Sequence, residues 1–495
     1  MCPMTSVRTD EQASVRPTQE DEVAAAGSEV IGGPHGRRAG SAGWWNPLRV
    51  IVLLALGMFA LGMVQKLPCY DGAWFSGQTS QYVRACYSDI PHLYNGRGFA
   101  DGIMPYFERI PDEVSGGMEY LEYPVLTGLF MTVASWMTPG GGDIVEREQI
   151  YWMINAAMLM ICAVVATVAV SRTHRFRPWD ALLLALAPAY ALTATINWDL
   201  LAVALTAVAM LMWSRSRPLA TGVLLGLATA AKLYPLFLLG PLLVLCWRGG
   251  RWRAFGTALG GAALSWSCVN VPVMIGAWDG WLKFYSFSQE RPVDFGSIWL
   301  ILSQRTDLPL ESTDVNNYAM ILMLLGCSAI AALTLTAPRR PRFPQLAFLV
   351  LALFVLTNKV YSPQYVLWLI PLAVLARPKW RDFLIWQACE VMYFVGIWMY
   401  LAYTGSGDKH QGLPPEGYQV IILVHLLGTL YLSAVVIRDI LLPEHDVVRS
   451  SGADDPAGGP LDGIPDRFVL RRHSSLTAST SSTEPKVHWG AGRPQ

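Results

Sequence analysis

A chain of 495 residues with 53% hydrophobic residues, 15% charged residues and a mean hydropathy of +0.34 is too apolar and too poor in charge for a soluble globular domain. Its 37 basic and 37 acidic side chains balance, and the basic ones sit in short loops, which speaks against a nucleic-acid partner. Long runs rich in Leu, Ala, Val, Met and Trp indicate an all-α polytopic membrane protein; the short alternating segments of a β-barrel are missing.

Residues 1–46 are polar, rich in Gly, Ser and Glu, and read as a disordered cytosolic leader with no signal peptide before the first span. Apolar runs able to cross roughly 30 Å of hydrocarbon follow near 48–65, 150–171, 180–196, 198–213, 218–232, 234–247, 254–275, 318–337, 343–357, 361–376, 381–403 and 418–438. That makes about twelve transmembrane helices in a membrane domain over 47–440, with kinks expected at Pro235, Pro241 and Pro371. Residues 441–495, including the Ser/Thr run at 474–483, read as a second disordered cytosolic tail.

One more apolar run, 123–137, would invert everything after it if it crossed. Positive charge decides against a crossing. Without it, the clusters at 172–177, 215–217, 248–253, 339–342 and 377–381 share one side with Arg37, Arg38 and Arg49, as the positive-inside rule requires of the cytoplasm. Both termini are then cytoplasmic in a multi-pass protein of the cell membrane. The first extracytoplasmic loop, 66–149, is acidic and holds 123–137 as a re-entrant or interfacial segment. A second large loop covers 276–317, with an interfacial piece at 296–302. Cys69 and Cys86 both fall in the first loop, on the oxidising side, where they form a disulfide or remain free thiols.

Most of the unusual polar residues then gather at the outer surface: Asp89, Glu122-Tyr123-Pro124, Asn197-Trp198-Asp199, Lys232-Leu233-Tyr234-Pro235, Arg291 with Asp294, and Asn358-Lys359-Val360-Tyr361-Ser362-Pro363-Gln364-Tyr365. Lys359 lies between the apolar runs 343–356 and 366–376, and an ionisable residue at that depth is a functional candidate by default. Each has a plainer alternative. Lys359 and Lys232 can snorkel to the headgroups, Asp199 can cap a helix, Glu122 can be a solvated loop charge, and Arg291 and Asp294 can be an exposed ion pair. Together, cations and a carboxylate on one face suit transfer between a lipid-borne phosphate and a hydroxyl, since Lys and Arg neutralise phosphate while a carboxylate takes the proton. His92 and His410 lack the spacing of a metal site, and neither a P-loop, a GxSxG elbow nor a dinucleotide turn is present. A twelve-span transporter or lipid flippase is the rival reading, although such proteins carry midplane polar residues and repeated halves.

The ordered motifs Tyr87-Ser88-Asp89-Ile90, Pro105-Tyr106-Phe107, Glu122-Tyr123-Pro124-Val125-Leu126-Thr127-Gly128, Asn197-Trp198-Asp199, Lys232-Leu233-Tyr234-Pro235 and the stretch from Asn358 to Tyr365 resemble the GT-C superfamily of polytopic glycosyltransferases. Within it, the chain is most similar to the family 87 polyprenol-phosphate-mannose mannosyltransferases of actinobacteria, and it also resembles the eukaryotic enzyme adding the first mannose of the GPI anchor. The resemblance covers about 48–437. It implies a GT-C helical bundle with Asp89 as catalytic base and donor phosphate held by Lys359, Lys232 and Arg291. It further implies substrate contacts from Glu122, Tyr123, Asn197, Asp199, Tyr234, Asn358, Tyr361, Gln364 and Tyr365. The donor is then a polyprenyl-phosphate-sugar and the acceptor an envelope glycan or glycolipid, with membrane lipid as the surrounding partner and no nucleotide sugar. Pro91 stands where relatives often carry a second acidic residue, which argues against a divalent metal cofactor.

Overall fold

The computed structural model describes residues 20–32, 44–306, 310–450 and 454–470, and every regular element among them is helical. A short α1 (Glu22–Gly32) precedes the first long helix, α2 (Pro47–Asp71), and the acidic loop after it carries α3 (Asp89–Gly96) and α4 (Val125–Met137). Then follow α5 (Ile144–Thr173), α6 (Asp199–Ser214), α7 (Pro218–Ala231), α8 (Leu239–Gly249), α9 (Trp252–Gly276), α10 (Trp278–Glu290), α11 (Ile298–Arg305) and α12 (Ser312–Thr336). The last four are α13 (Phe343–Thr357), α14 (Val366–Ala376), α15 (Trp380–Gly405) and α16 (Pro415–Leu441).

Six helices, α2, α5, α9, α12, α15 and α16, are 25–30 residues long and apolar enough to span a bilayer. At 1.5 Å per residue they reach about 38–45 Å. Shorter apolar helices, α6, α7, α8, α13 and α14, complete the bundle. Sequence explains their placement. Helices α13 and α14 are apolar at nearly every position and buried along most of their length, so they form its centre. By contrast α12 buries only Val315, Thr334 and Leu335 and exposes Met320, Leu324 and Leu325, as a lipid-facing helix would. At the start of α2, the Asn46 side chain accepts the Arg49 N–H at 3.0 Å and Pro47 occupies the first turn, which satisfies a donor the helix cannot.

The segment expected as one span over 180–196 departs from a continuous helix. It breaks into Pro178–Ala181, Leu182–Ala185 and Pro188–Thr193. Pro188 has no N–H to continue the preceding turn, and the neighbouring Ala189 N–H donates instead to Gln387 Oε1 at 3.1 Å. The broken segment still joins the two ends of the bundle, because Asp180 meets Arg177 at one end while Ile196 accepts the Asp89 N–H at the other. Counting it, the described residues traverse the bundle twelve times.

Helix α4 does not traverse. Thr127, near its start, donates to the Ala231 carbonyl at 2.6 Å, and Ser135, near its end, donates to the Phe99 carbonyl at 2.9 Å. Ala231 and Phe99 both belong to the end that carries α3, so α4 lies along that end as a re-entrant element. Helices α3, α10 and α11 gather there too, and it is called the pocket end below.

At the opposite end the structure corrects the expectation of two disordered termini. Residues 20–32, 441–450 and 454–470 are folded against the bundle; the remainder of those stretches, 1–19, 33–43, 451–453 and 471–495 with the Ser/Thr run, lies outside the described residues. The physical reason is buried cation. Arg342 is wholly buried, donates to the Leu375 and Ala376 carbonyls that end α14, and holds Asp446 through Nε at 2.8 Å and Nη2 at 3.0 Å. Arg248 donates to the Thr334 carbonyl at 2.6 Å and to Asp466, while Arg177 meets Glu20 at 2.7 Å. Helix C-termini offer unpaired carbonyls and a negative dipole end, which guanidinium groups satisfy, and a guanidinium withdrawn from water needs a carboxylate. The terminal segments supply those carboxylates.

Candidate active site

Asp89 is positioned by a capped helix start. The Ser88 hydroxyl donates to the Thr195 carbonyl at 2.8 Å and accepts the Ile90 N–H at 3.3 Å, and the Asp89 N–H donates to the Ile196 carbonyl at 2.8 Å. Just upstream, Cys69 and Cys86 form a disulfide that ties the end of α2 to the loop before Tyr87. Buried Lys66 donates to the Tyr87 carbonyl at 2.9 Å, and the Tyr87 hydroxyl donates to Asp89 Oδ1 at 2.7 Å. Withdrawal from water pushes the Asp89 carboxyl above the ordinary carboxylate range, against the lowering influence of the Tyr87 hydroxyl and Lys232.

Asp89 opens onto a cavity of about 520 Å³. Lys232, just past the C-terminus of α7, and Arg291, just past α10, contribute its cations. Lys232 Nζ lies 3.2 Å from Asp199 Oδ1 and sits over the rings of Tyr123 and Trp368 at 5.5 and 5.8 Å. Burial pulls the Lys232 ammonium down, but Asp199, Tyr365 and Asp89 together outweigh it and the net shift is upward, so the group stays charged. Arg291 pairs with Asp294, and burial lowers its guanidinium less than Asp294, Tyr365 and Tyr123 together raise it. A second charge pair lines the cavity: Arg97 grips Glu122 with two hydrogen bonds, Nε–Oε2 at 2.7 Å and Nη2–Oε1 at 2.6 Å. Aromatic faces from Tyr82, Phe284, Phe287 and Trp398 complete the wall.

Of the candidates named from sequence, the fold brings Asp89, Lys232, Arg291, Glu122, Tyr123, Asn197, Gln364 and Tyr365 to this one cavity. Others stand behind it. Asp199 is 1% exposed and receives the Trp368 indole at 2.7 Å as well as Lys232, so it braces the wall; Asn197 Oδ1 accepts the Asp199 N–H at 3.1 Å. Tyr234 points into the bundle, bonded to Thr206 and stacked on Trp368. Asn358 turns back to the Val360 carbonyl, and Tyr361 is wholly buried near Glu390 and Thr429.

Lys359 is the largest departure from expectation. Its ammonium does not line the cavity; it is 5% exposed and donates to the Gln289 carbonyl at 2.9 Å, while its own carbonyl accepts the Asp294 N–H at 3.0 Å. Lys359 thus ties down the loop that presents Arg291, and burial together with the nearby guanidinium pulls its ammonium below the usual lysine range. Sequence reasoning passed over Arg97, Tyr87 and Trp398. Nothing local marks out Arg97, since the first loop also carries Lys66, Arg84, Arg109 and Arg147, and Trp398 lies inside an apolar span.

The cavity therefore combines a carboxylate able to accept a proton, two cations held charged, a carboxylate–guanidinium pair and broad aromatic faces. That set can hold an anion beside a ring-shaped polar substrate and remove a hydroxyl proton. No curated protein matches the chain. A profile of glycosyltransferase family 87 matches residues 120–357, a stretch that contains Glu122, Asn197, Lys232 and Arg291 but not Asp89 or Lys359. The matched stretch, just under half of the 495-residue chain, is similar to glycosyltransferase family 87 and lies within a bundle of apolar, membrane-spanning helices.

Proposed function

We propose that the chain transfers a sugar, mannose by its resemblance, from a polyprenyl-phosphate-sugar to a hydroxyl of an envelope glycan or glycolipid, with inversion at the anomeric carbon. The observation that carries this reading is that Asp89, Lys232 and Arg291, from three distant parts of the chain, line one cavity. Asp89 accepts the proton of the acceptor hydroxyl as its oxygen forms the new bond to the anomeric carbon. The bond from that carbon to the phosphate oxygen breaks, and polyprenyl phosphate leaves. Arg291 and Lys232 stabilise the charge that grows on the phosphate, and Lys359 holds the Arg291 loop in place.

Two further features support the reading. An apolar groove of about 490 Å³ between α7, the α7–α8 turn and α9 is lined by Leu233, Leu236, Leu259, Ala262 and Trp266, and Leu233 adjoins Lys232. A prenyl chain can lie there while its phosphate reaches the cation. The basic clusters lie at the end opposite the cavity, which by the positive-inside rule supports an extracytoplasmic cavity.

The test is transfer from polyprenyl-phosphate-mannose to endogenous acceptors in membranes carrying the wild type or Asp89→Asn. The variant should lose about a thousandfold or more in rate, the order expected for a lost general base. Undiminished transfer by a well-expressed variant removes Asp89 from that role. Cysteine-accessibility labelling at Gly141 and Ser216 checks the orientation: only Gly141 should react from outside the cell.

A further inference from the structure

A second cavity, of about 780 Å³, opens at the end of the bundle away from Asp89. Its wall includes Pro218, Arg251, Trp252, Arg253 and Thr257, and the terminal segment closes it with Pro460 and Arg467. Many arginines at this end reach carboxylates, although Arg172, Arg175, Arg215 and Arg217 form no ion pair among the described residues and Arg215 donates to the Arg172 carbonyl at 2.9 Å. Arg177, Arg248, Arg339, Arg340, Arg342, Arg377 and Arg449 each pair with Asp or Glu. Among the described residues, no carboxylate lies within ion-pair distance of Arg251, Arg253 or Arg467. The nearest acids in sequence are engaged elsewhere: Asp466 is held by Arg248 and Arg340, and Asp462 accepts the Asp455 N–H at 3.2 Å.

The backbone adds to this positive field. Helices α7 and α9 both run from this end toward the pocket end, and they pack backbone against backbone: a Cβ on Gly222 would fall 1.9 Å from the Ala258 carbonyl oxygen, and one on Gly226 would fall 2.2 Å from that of Ala262. Two parallel dipoles therefore end side by side at the cavity, where Pro218 and Trp252 begin the helices. Neither first turn holds an acidic residue, and neither start receives a side-chain cap. Arg217 and Arg251 stand at the two cap positions, opposite in sign to what a dipole favours. Three exposed guanidinium groups, Arg251, Arg253 and Arg467, and two helix starts thus border one space with no internal counter-charge among the described residues.

We propose that this cavity binds a phosphate group, presented by the headgroup of an anionic phospholipid. Phosphate suits planar guanidinium donors and unpaired backbone N–H groups. The lipid source follows from the surroundings: Leu219, Trp252 and Trp247 are 56%, 52% and 41% exposed beside the cavity, and tryptophans at the ends of spanning helices sit at headgroup depth. The site takes Pro460 and Arg467 from the terminal segment, so a lipid bound there would also hold that segment against the bundle.

The experiment uses the full chain in phosphatidylcholine nanodiscs, with and without phosphatidylglycerol, and reads thermal unfolding. Anionic lipid should raise the wild-type midpoint by about 2–4 °C, and the variant Arg251→Gln/Arg253→Gln/Arg467→Gln should lose most of that rise. Arg339→Gln, a control whose guanidinium is paired with Asp454, should keep it. An equal rise in the triple variant overturns the proposal, as does no rise in the wild type with either phosphate source. Inorganic phosphate titrated into neutral nanodiscs separates the sources: a matching rise assigns the site to a soluble phosphate, and no rise assigns it to the lipid. Native mass spectrometry of the three single variants supplies a readout that survives poor folding of the triple variant. Each should retain less phosphatidylglycerol than the wild type, and equal retention by all three sinks the idea.

Discussion

The two ends of the bundle hold similar groups in opposite conditions. At the end opposite the pocket Arg342 and Arg377 are buried and saturated: Arg342 binds Asp446 and two carbonyls, and Arg377 binds Asp382 and Asp439. At the pocket end Asp89 has one side-chain donor, the Tyr87 hydroxyl, and Lys232 shares a single carboxylate while facing two rings. Saturation marks groups that hold the fold together. Groups at the pocket end retain hydrogen-bonding capacity for a ligand, which is what a transferase needs from them.

The sharpest way to break this comparison sets Asp89→Asn against Arg342→Ala. The first should abolish transfer by about a thousandfold with little change in the unfolding midpoint. The second leaves Asp446 buried without its guanidinium and should cost about 3–5 kcal/mol of stability, measured by denaturation, while the folded fraction keeps its specific activity. Equal loss of activity per folded molecule in both would erase the distinction between the ends.

Opening the Cys69–Cys86 bridge, 17 residues apart, should cost about 3 kcal/mol and lower activity through Asp89 placement. Thiol labelling with and without reductant checks it, and full labelling of both residues without reductant would show that the bridge is absent. Arg291→Ala should lower kcat/KM by about a hundredfold. Lys359→Gln should cost about tenfold, because it only loosens the loop holding Arg291. A larger loss from Lys359→Gln than from Arg291→Ala would return Lys359 to direct phosphate contact.

The smallest effect is in the pH profile. As the proposed base, Asp89 would act only when deprotonated, and burial raises its pKa, so the rate should fall as pH drops through a midpoint above the ordinary carboxylate value of about 3.9. Tyr87→Phe removes a hydrogen bond that favours the carboxylate, so the midpoint should move further up. A profile unchanged by Tyr87→Phe would detach that hydroxyl from the base.

The amino-acid sequence by itself determined the membrane-spanning plan and the end at which Asp89, Lys232 and Arg291 gather. Hydropathy over 20 or so residues is a local property that the bilayer reads directly, and the basic loops collect at one end of the bundle through their places in the chain alone. Only the tertiary structure decided which polar residues face the cavity. Lys359 and Arg291 are both cations beside apolar runs, yet one turns to the Gln289 carbonyl and the other lines the site, because loop side-chain direction depends on partners about 70 residues away. Arg97 and Glu122 find each other across 25 positions in the same way. The folding of 441–450 and 454–470 was equally hidden: their composition matches a disordered tail, and they are ordered by buried arginines that belong to other helices.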